Sequence, residues 1–238
     1  MRQSLVLAIA VAGLAVFAPA ASAQVFTENF DQGATLITDL QTAGWFFQNN
    51  SQPLGTIGYF NGNTAVFGPQ AGTGYLGVNF NSGGGLATIS NWAVLPTMTI
   101  QNGDTFNFWT RTVDSVGFPD RLQVRLSTNG ASTNVGTLAT DVGDFTNLLL
   151  DINPTYTTTG YPNTWTNFNI TVSGLGGPVT GRFAFRYFVE NGGPSGSNSD
   201  YIGIDTLTIT PVPEPTSLAL LGIPAVGYLW KRRRAKKS

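Results

Sequence analysis

Through the middle of the chain, apolar and polar residues alternate with period two. In Arg121-Leu122-Gln123-Val124-Arg125-Leu126 the three aliphatic residues share one face and the polar ones the other. Between Arg182 and Val189, Phe183, Phe185, Tyr187 and Val189 face one way, while Arg182 and Arg186 face the other. Thr105 to Trp109 puts Phe106 and Phe108 together, and Trp165 to Val172 groups Phe168, Ile170 and Val172. Strand side chains point alternately to the two faces of a sheet, so these segments predict sheets with one buried face, as in a sandwich. No long stretch carries a helical apolar period. Turn clusters such as Asn61-Gly62-Asn63, Asn81-Ser82-Gly83-Gly84-Gly85, Thr128-Asn129-Gly130, Gly174-Leu175-Gly176-Gly177-Pro178 and Asn191-Gly192-Gly193-Pro194 punctuate the alternation. About ten to twelve strands follow from that spacing.

One segment breaks the pattern. In Tyr201 to Thr210, Ile202 and Ile204 have one parity, and Leu207 and Ile209 the other. A regular strand cannot bury both pairs on one face. Either a β-bulge near Asp205-Thr206 restores the match, or the strand changes neighbours or ends there.

Two apolar runs at the ends do not alternate. Leu5 to Phe17 follows Arg2 and precedes Ala21-Ser22-Ala23. A positive start, a short apolar run and a small-x-small site predict a secretory signal peptide over 1–23, cut between Ala23 and Gln24. An N-terminal membrane anchor is the alternative, but the run is short of the roughly 20 residues a span needs. At the other end, Pro213-Glu214-Pro215 is followed by an apolar run from Leu218 to Trp230 and by Lys231-Arg232-Arg233-Arg234-Ala235-Lys236-Lys237. Basic residues stay on the cytoplasmic side, so this is a short inserting segment with a stop. Gly222, Pro224 and Gly227 weaken it as a permanent helix, which favours transient anchoring over a lasting tail anchor.

Composition narrows the chemistry. Between residues 24 and 210 there are five arginines, no lysine and twelve acids, an excess of seven negative charges. An acidic domain lacks the basic footprint of nucleic-acid binding and fits divalent cations or neutral glycans better. The chain has no Cys and no His. That excludes disulfides, Ser-His-Asp and Cys nucleophile chemistry, and His- or Cys-ligated zinc. Carboxylate chemistry and oxygen-ligated metals remain.

The C-terminal element resembles the PEP-CTERM sorting signal of Gram-negative bacteria, with its motif, apolar stretch and basic cluster in order. The resemblance implies recognition by an exosortase near Pro213, Glu214 and Pro215, membrane contact before processing, and a role at the outer surface linked to exopolysaccharide. The domain resembles the choice-of-anchor J family, related to the cleaved adhesin domains. The residues that carry this likeness are Phe26-Thr27-Glu28-Asn29-Phe30-Asp31, Ala43-Gly44-Trp45, Trp92-Ala93-Val94-Leu95-Pro96, Asp104 to Arg111, Pro119 to Gly130, Trp165, Ala184-Phe185-Arg186-Tyr187 and Tyr201 to Leu207. Where the family's ending has an acidic pair, Thr206 here follows Asp205. The resemblance implies an all-β, jelly-roll β-sandwich with a binding or structural role.

The expected layout is therefore a signal-peptide helix over 1–23, a sandwich over 24–210, and a sorting and anchor segment with a short hydrophobic helix over 212–238. The sharpest site expectation is a structural calcium ion held by Glu28 and Asp31 from the opening segment and Asp205 from the last strand, since calcium takes six to eight oxygen ligands. The alternative is that these acids are solvated or pair with Arg121 or Arg186. Asp114, Asp120 and Arg121 form a second group, read as a recognition edge or as a turn cap and a cross-strand pair. Trp45, Trp92, Trp109 and Trp165 are expected mainly in the core, and Tyr59, Tyr75, Tyr156 and Tyr161 are the better exposed ring candidates. The expected function is non-catalytic: a surface or matrix protein, adhesive or binding exopolysaccharide or a surface protein. The alternative is a carbohydrate-active enzyme using an Asp/Glu pair across a groove.

Overall fold

The computed structural model describes residues 24–212, which form one compact unit from Gln24 to Val212. The signal-peptide helix, the hydrophobic helix, Ala23 and the Pro213-Glu214-Pro215 motif lie outside the described residues.

Thirteen strands follow in chain order among the described residues. They are β1 (Phe26–Glu28), β2 (Phe46–Asn49), β3 (Gln52–Leu54), β4 (Phe60–Asn61), β5 (Leu76–Asn79), β6 (Gly83–Val94), β7 (Met98–Ile100), β8 (Thr105–Thr112), β9 (Leu122–Ser127), β10 (Asn147–Ile152), β11 (Thr166–Thr171), β12 (Val179–Gly192) and β13 (Tyr201–Thr210). One short helix, α1 (Leu36–Thr42), was not expected from the sequence. It buries Leu36 and Leu40, one turn apart, against the core.

The strands make two antiparallel sheets, the jelly-roll sandwich expected from the sequence. One runs β11-β8-β13-β5-β4, with β1 added on β13. The other runs β10-β9-β12-β6-β2, with β3 on β6 and β7 on β12. The inner faces meet in a core of aromatic and aliphatic residues. Phe106 of β8 lies 4.9 Å from Phe183 and Phe108 lies 5.0 Å from Phe185 of β12, ring centre to ring centre. These are the alternating positions read from the sequence, and all four rings are fully buried.

The parity break in β13 is a bulge. Its pairing with β8 slips between Asp205 and Thr208, and Thr206 adopts a left-handed φ of 48°. Ile202 and Ile204 precede the slip and Leu207 and Ile209 follow it, yet all four are buried. One extra residue brings both pairs to the inner face.

The outer faces are covered as well. Over the first sheet, Phe67, Tyr75 and Tyr201 form a cluster with Phe60, Val113 and Trp165. Over the second, Val135 and Phe145, from the long segment between β9 and β10, pack on Trp92, Val94 and Ala184.

Candidate functional site

The first and last strands do meet. β1 pairs with β13, with Glu28 opposite Leu207. Asp31 and Asp205 then grip one segment from two sides. Asp205 Oδ2 accepts the backbone N–H groups of Gln70 and Ala71, at 2.7 and 3.2 Å. Asp31 Oδ1 accepts those of Thr73 and Gly74, at 2.5 and 3.1 Å. Asp205 Oδ1 takes the N–H of Thr206, so the bulge is what aims this carboxylate. Burial pushes Asp205 up to about 6, against the pull of its three backbone donors, and Asp31 adds to the rise.

Glu28 turns elsewhere. Its Oε1 accepts the Phe30 N–H and the Gln32 amide, at 2.8 and 3.0 Å. Among the described residues, no three acidic side chains gather closely enough to hold a metal. The oxygens without donors are instead amides: Gln32 Oε1 and Asn61 Oδ1 are both buried and accept no hydrogen bond. They belong to neighbouring parts of the fold, because β4 packs on the turn that follows Gln32. A Cβ on Gly74 would collide with the Phe30 carbonyl and lie 3.4 Å from Asn61 Oδ1. The Phe30 carbonyl and the Asn61 amide oxygen thus both border Gly74, whose N–H Asp31 holds. Sequence spacing gave no signal for Gln32 or Asn61, since β4 reaches the turn after Gln32 only through long-range packing.

The basic residues have other partners. Arg121 makes a two-pronged ion pair with Asp151 across β9 and β10, at 2.8 and 2.7 Å. This is the cross-strand pairing weighed for it. Arg186 has no carboxylate partner among the described residues. Its guanidinium lies between the rings of Trp92 and Phe188, at 4.8 and 4.0 Å. It donates to Ser90 Oγ, Gln123 Oε1 and the Ala139 carbonyl. Burial, with Arg125 and Arg121 nearby, lowers it to about 9. Neither arginine meets Glu28, Asp31 or Asp205.

Asp120 is neither a turn cap nor a recognition edge. It is wholly buried, and it accepts the Thr112 hydroxyl at 2.5 Å, the Tyr187 hydroxyl at 2.5 Å and the Asp200 N–H at 2.8 Å. Desolvation raises it to about 6 in spite of these donors. Asp114 is exposed and pairs with Arg111.

The tyrosines correct the sequence reading. Tyr59, Tyr75 and Tyr161 are buried, and only Tyr156 of that group is partly exposed. Their Gly- and Asn-rich segments fold back over or between the sheets. Trp45 and Trp92 are buried as expected, whereas Trp109 and Trp165 are partly exposed.

The comparisons fit this architecture. Residues 211–234 match the PEP-CTERM protein-sorting motif. That match implies export and membrane-anchored sorting before display at the cell surface, with exosortase processing. The sandwich is similar to the K1 cleaved adhesin domain of Lys-gingipain from Porphyromonas gingivalis W83, with a TM-score of 0.53 and 21% identity over 79% of this chain and 99% of that one. The K2 cleaved adhesin domain of Lys-gingipain gives 0.52 and 16% over 79% and 100%. The K3 domain from Porphyromonas gingivalis gives 0.50 and 18% over 78% and 96%. At these identities the likeness is one of fold. No curated protein matches the chain.

Proposed function

We propose that this is a non-catalytic surface or extracellular-matrix protein of a Gram-negative bacterium. An exosortase-type enzyme processes it at Pro213-Glu214-Pro215, and the sandwich adheres to exopolysaccharide. The observation that carries this reading is the join itself: the sorting motif begins at residue 211, where the adhesin-like domain ends. Whatever the domain binds, it binds after delivery to the surface.

Its carboxylates also support a binding role over hydrolysis. A glycosidase needs two carboxyl groups that both reach the scissile bond. Two acids lie close enough to raise a neighbouring carboxyl, Asp31 beside Asp205 and Asp200 beside Asp120. In each pair one member, Asp205 or Asp120, is fully buried with its oxygens taken by hydrogen-bond donors. Such a group cannot reach a substrate.

A structural calcium ion belongs to the same reading. Asp31 and the donor-free oxygen of Asn61 would hold it, Glu28 and Gln32 would turn in from the opening segment to complete the set, and Asp205 would brace the loop beside it. Hard oxygen donors of this kind suit calcium. The ion would tie the opening segment to the loop before β5.

The test is binding of the purified protein to the producer's own exopolysaccharide, first with calcium and then with EDTA. Saturable binding, weakened together with the melting temperature in EDTA, is expected. An unchanged melting temperature sinks the calcium ion. Absence of binding in both conditions sinks the adhesive reading.

A further inference from the structure

Phe118 is the one aromatic among the strongly exposed large apolar side chains of the described residues, at 48%. It borders a cavity of about 170 Å³, open on one side. Phe80 forms part of the wall, with Pro194, Ser199 and Asp200 from the segment between β12 and β13. The carboxylate of Asp200 accepts no hydrogen bond among the described residues, although the side chain is partly buried. Phe80, Phe118 and Asp200, whose carboxylate is unpartnered, therefore line one small cavity.

The walls are fixed. Ser199 donates its N–H to the Pro119 carbonyl at 2.9 Å, next to Phe118. Asp200 donates its N–H to Asp120 at 2.8 Å, and its carbonyl accepts the Phe80 N–H at 2.9 Å. The Ser199 hydroxyl accepts the Gly193 N–H at 2.9 Å. Buried Asp120, itself held by Thr112 and Tyr187, thus locks the Phe118 loop to the Asp200 loop. A site held open in this way loses little entropy when a ligand enters.

We propose that this cavity binds a terminal, uncharged hexopyranose of a glycan. This rests on the adhesive reading above and gives it a place and a ligand class. A pyranose has an apolar C–H face that packs on an aromatic ring, and vicinal hydroxyls that donate to a carboxylate. Aromatic surface with a few convergent polar groups is the usual make-up of a small-molecule site. Hydroxyl to carboxylate bonds are of the stronger, charge-assisted kind. The cavity lies below the usual range for drug-sized ligands, roughly 300–1,000 Å³, so it takes one sugar ring and not a chain. Asp200 and the acidic domain around it repel uronates and sulfated sugars. One carboxylate is too few oxygens for calcium.

The experiment is saturation-transfer NMR on the purified full chain with the methyl glycosides of glucose, galactose and mannose. Glucuronate and acetyl-arginine amide serve as charged probes. The unmodified protein, Phe118→Ser and Asp200→Asn are compared, and the variants' melting temperatures confirm folding. Transfer to at least one neutral glycoside is expected, weakened at least tenfold in both variants and absent for glucuronate. Transfer that both variants retain, or a preference for the arginine probe, overturns the proposal. Binding to the producer's exopolysaccharide is measured on the same samples. If it persists undiminished in both variants, the cavity is wrong and the adhesive reading stands; if the unmodified protein binds no glycan of any kind, both fall.

Discussion

Asp104 accepts the backbone N–H of Val212 at 2.9 Å, and Gln101 donates its side-chain amide to the Val212 carbonyl at 2.7 Å. The turn before β8 thus clasps the chain one residue before Pro213. Asp104 is nearly fully buried, and its other oxygen accepts the Gln101 N–H at 2.9 Å. A chain ending at Thr210 leaves Asp104 Oδ1 without its donor. An unsatisfied buried acceptor costs about 1–3 kcal/mol. The version ending at Thr210 is expected to melt several degrees below one ending at Val212, at roughly 2–4 °C per kcal/mol for a domain of this size. Equal melting temperatures would show the clasp to be neutral.

The bulge at Thr206 makes a sharper prediction. Removing this single residue returns β13 to strict alternation with Ile202, Ile204, Leu207 and Ile209 all still facing the core and Thr208 still opposite Asn107. The deletion therefore loses only the bonds of the bulge itself, the Thr206 N–H to Asp205 and its hydroxyl to Gln70, so a loss of about 1–3 kcal/mol with cooperative unfolding kept is expected. Thr206→Gly should be milder still. It relieves a left-handed φ of 48° that a β-branched residue tolerates poorly, and it loses the 2.7 Å hydroxyl bond to Gln70. These effects oppose each other at about 1 kcal/mol each, so a change within about 1 kcal/mol is expected in urea unfolding. A deletion variant that loses cooperative unfolding would refute the bulge.

That bulge was legible in the sequence because strand parity is a local property: four residues of mismatched parity suffice. The inner faces of β8, β9 and β12 were legible for the same reason. α1 was not, because in Leu36–Thr42 the helical signal amounts to Leu36 and Leu40 with Ile37 between them, too few turns to establish a period. Tyr59, Tyr75 and Tyr161 misled because Gly- and Asn-rich flanks mark a turn without saying where the turn folds back. In the candidate site, the meeting of the opening segment with β13 was readable, but the residues completing it were not. Gln32 and Asn61 acquire their character only when β4 packs against the turn after β1. Asp200 gains significance only through Asp120, which holds it beside Phe118.

Stability should depend on pH in an uncommon direction. Asp120 and Asp205 titrate near 6 in the folded protein, against about 3.9 in the unfolded chain. Between those values the folded state holds more protons than the unfolded one, so stability falls as pH rises from about 4 to about 6 and levels off above. Asp141 and Asp144 act the other way. Backbone N–H groups of Leu138 and Thr137 hold the first below the usual carboxylate range, and the Ser132 and Asn129 side chains hold the second there. Their contribution is lost as pH drops below that range. Thermal melts from pH 4 to 8 should therefore be highest near the acid end of that range and fall toward pH 6, and Asp120→Asn should flatten the decline toward neutrality. A melting temperature that climbs steadily from pH 4.5 to 7 would contradict this assignment.

Arg186 provides the last test, because it separates charge from shape. The side chain is almost fully buried between Trp92 and Phe188 and satisfies three acceptors at once, Ser90, Gln123 and Ala139. Lysine keeps the charge but has neither the flat face that stacks on two rings nor the fork that reaches three acceptors. Arg186→Lys also places a strongly hydrated ammonium where Asp141 and Asp151 act only from beyond ion-pair distance. A loss of about 2–4 kcal/mol is expected, from stranded acceptors and weakened stacking. Arg186→Met removes the charge and its desolvation cost while still filling the slot between the rings, so it should lose less than lysine does. Urea unfolding of both variants decides the matter. If lysine is the milder replacement, the positive charge itself holds the outer face of the second sheet together; if methionine is milder, the stacked shape does.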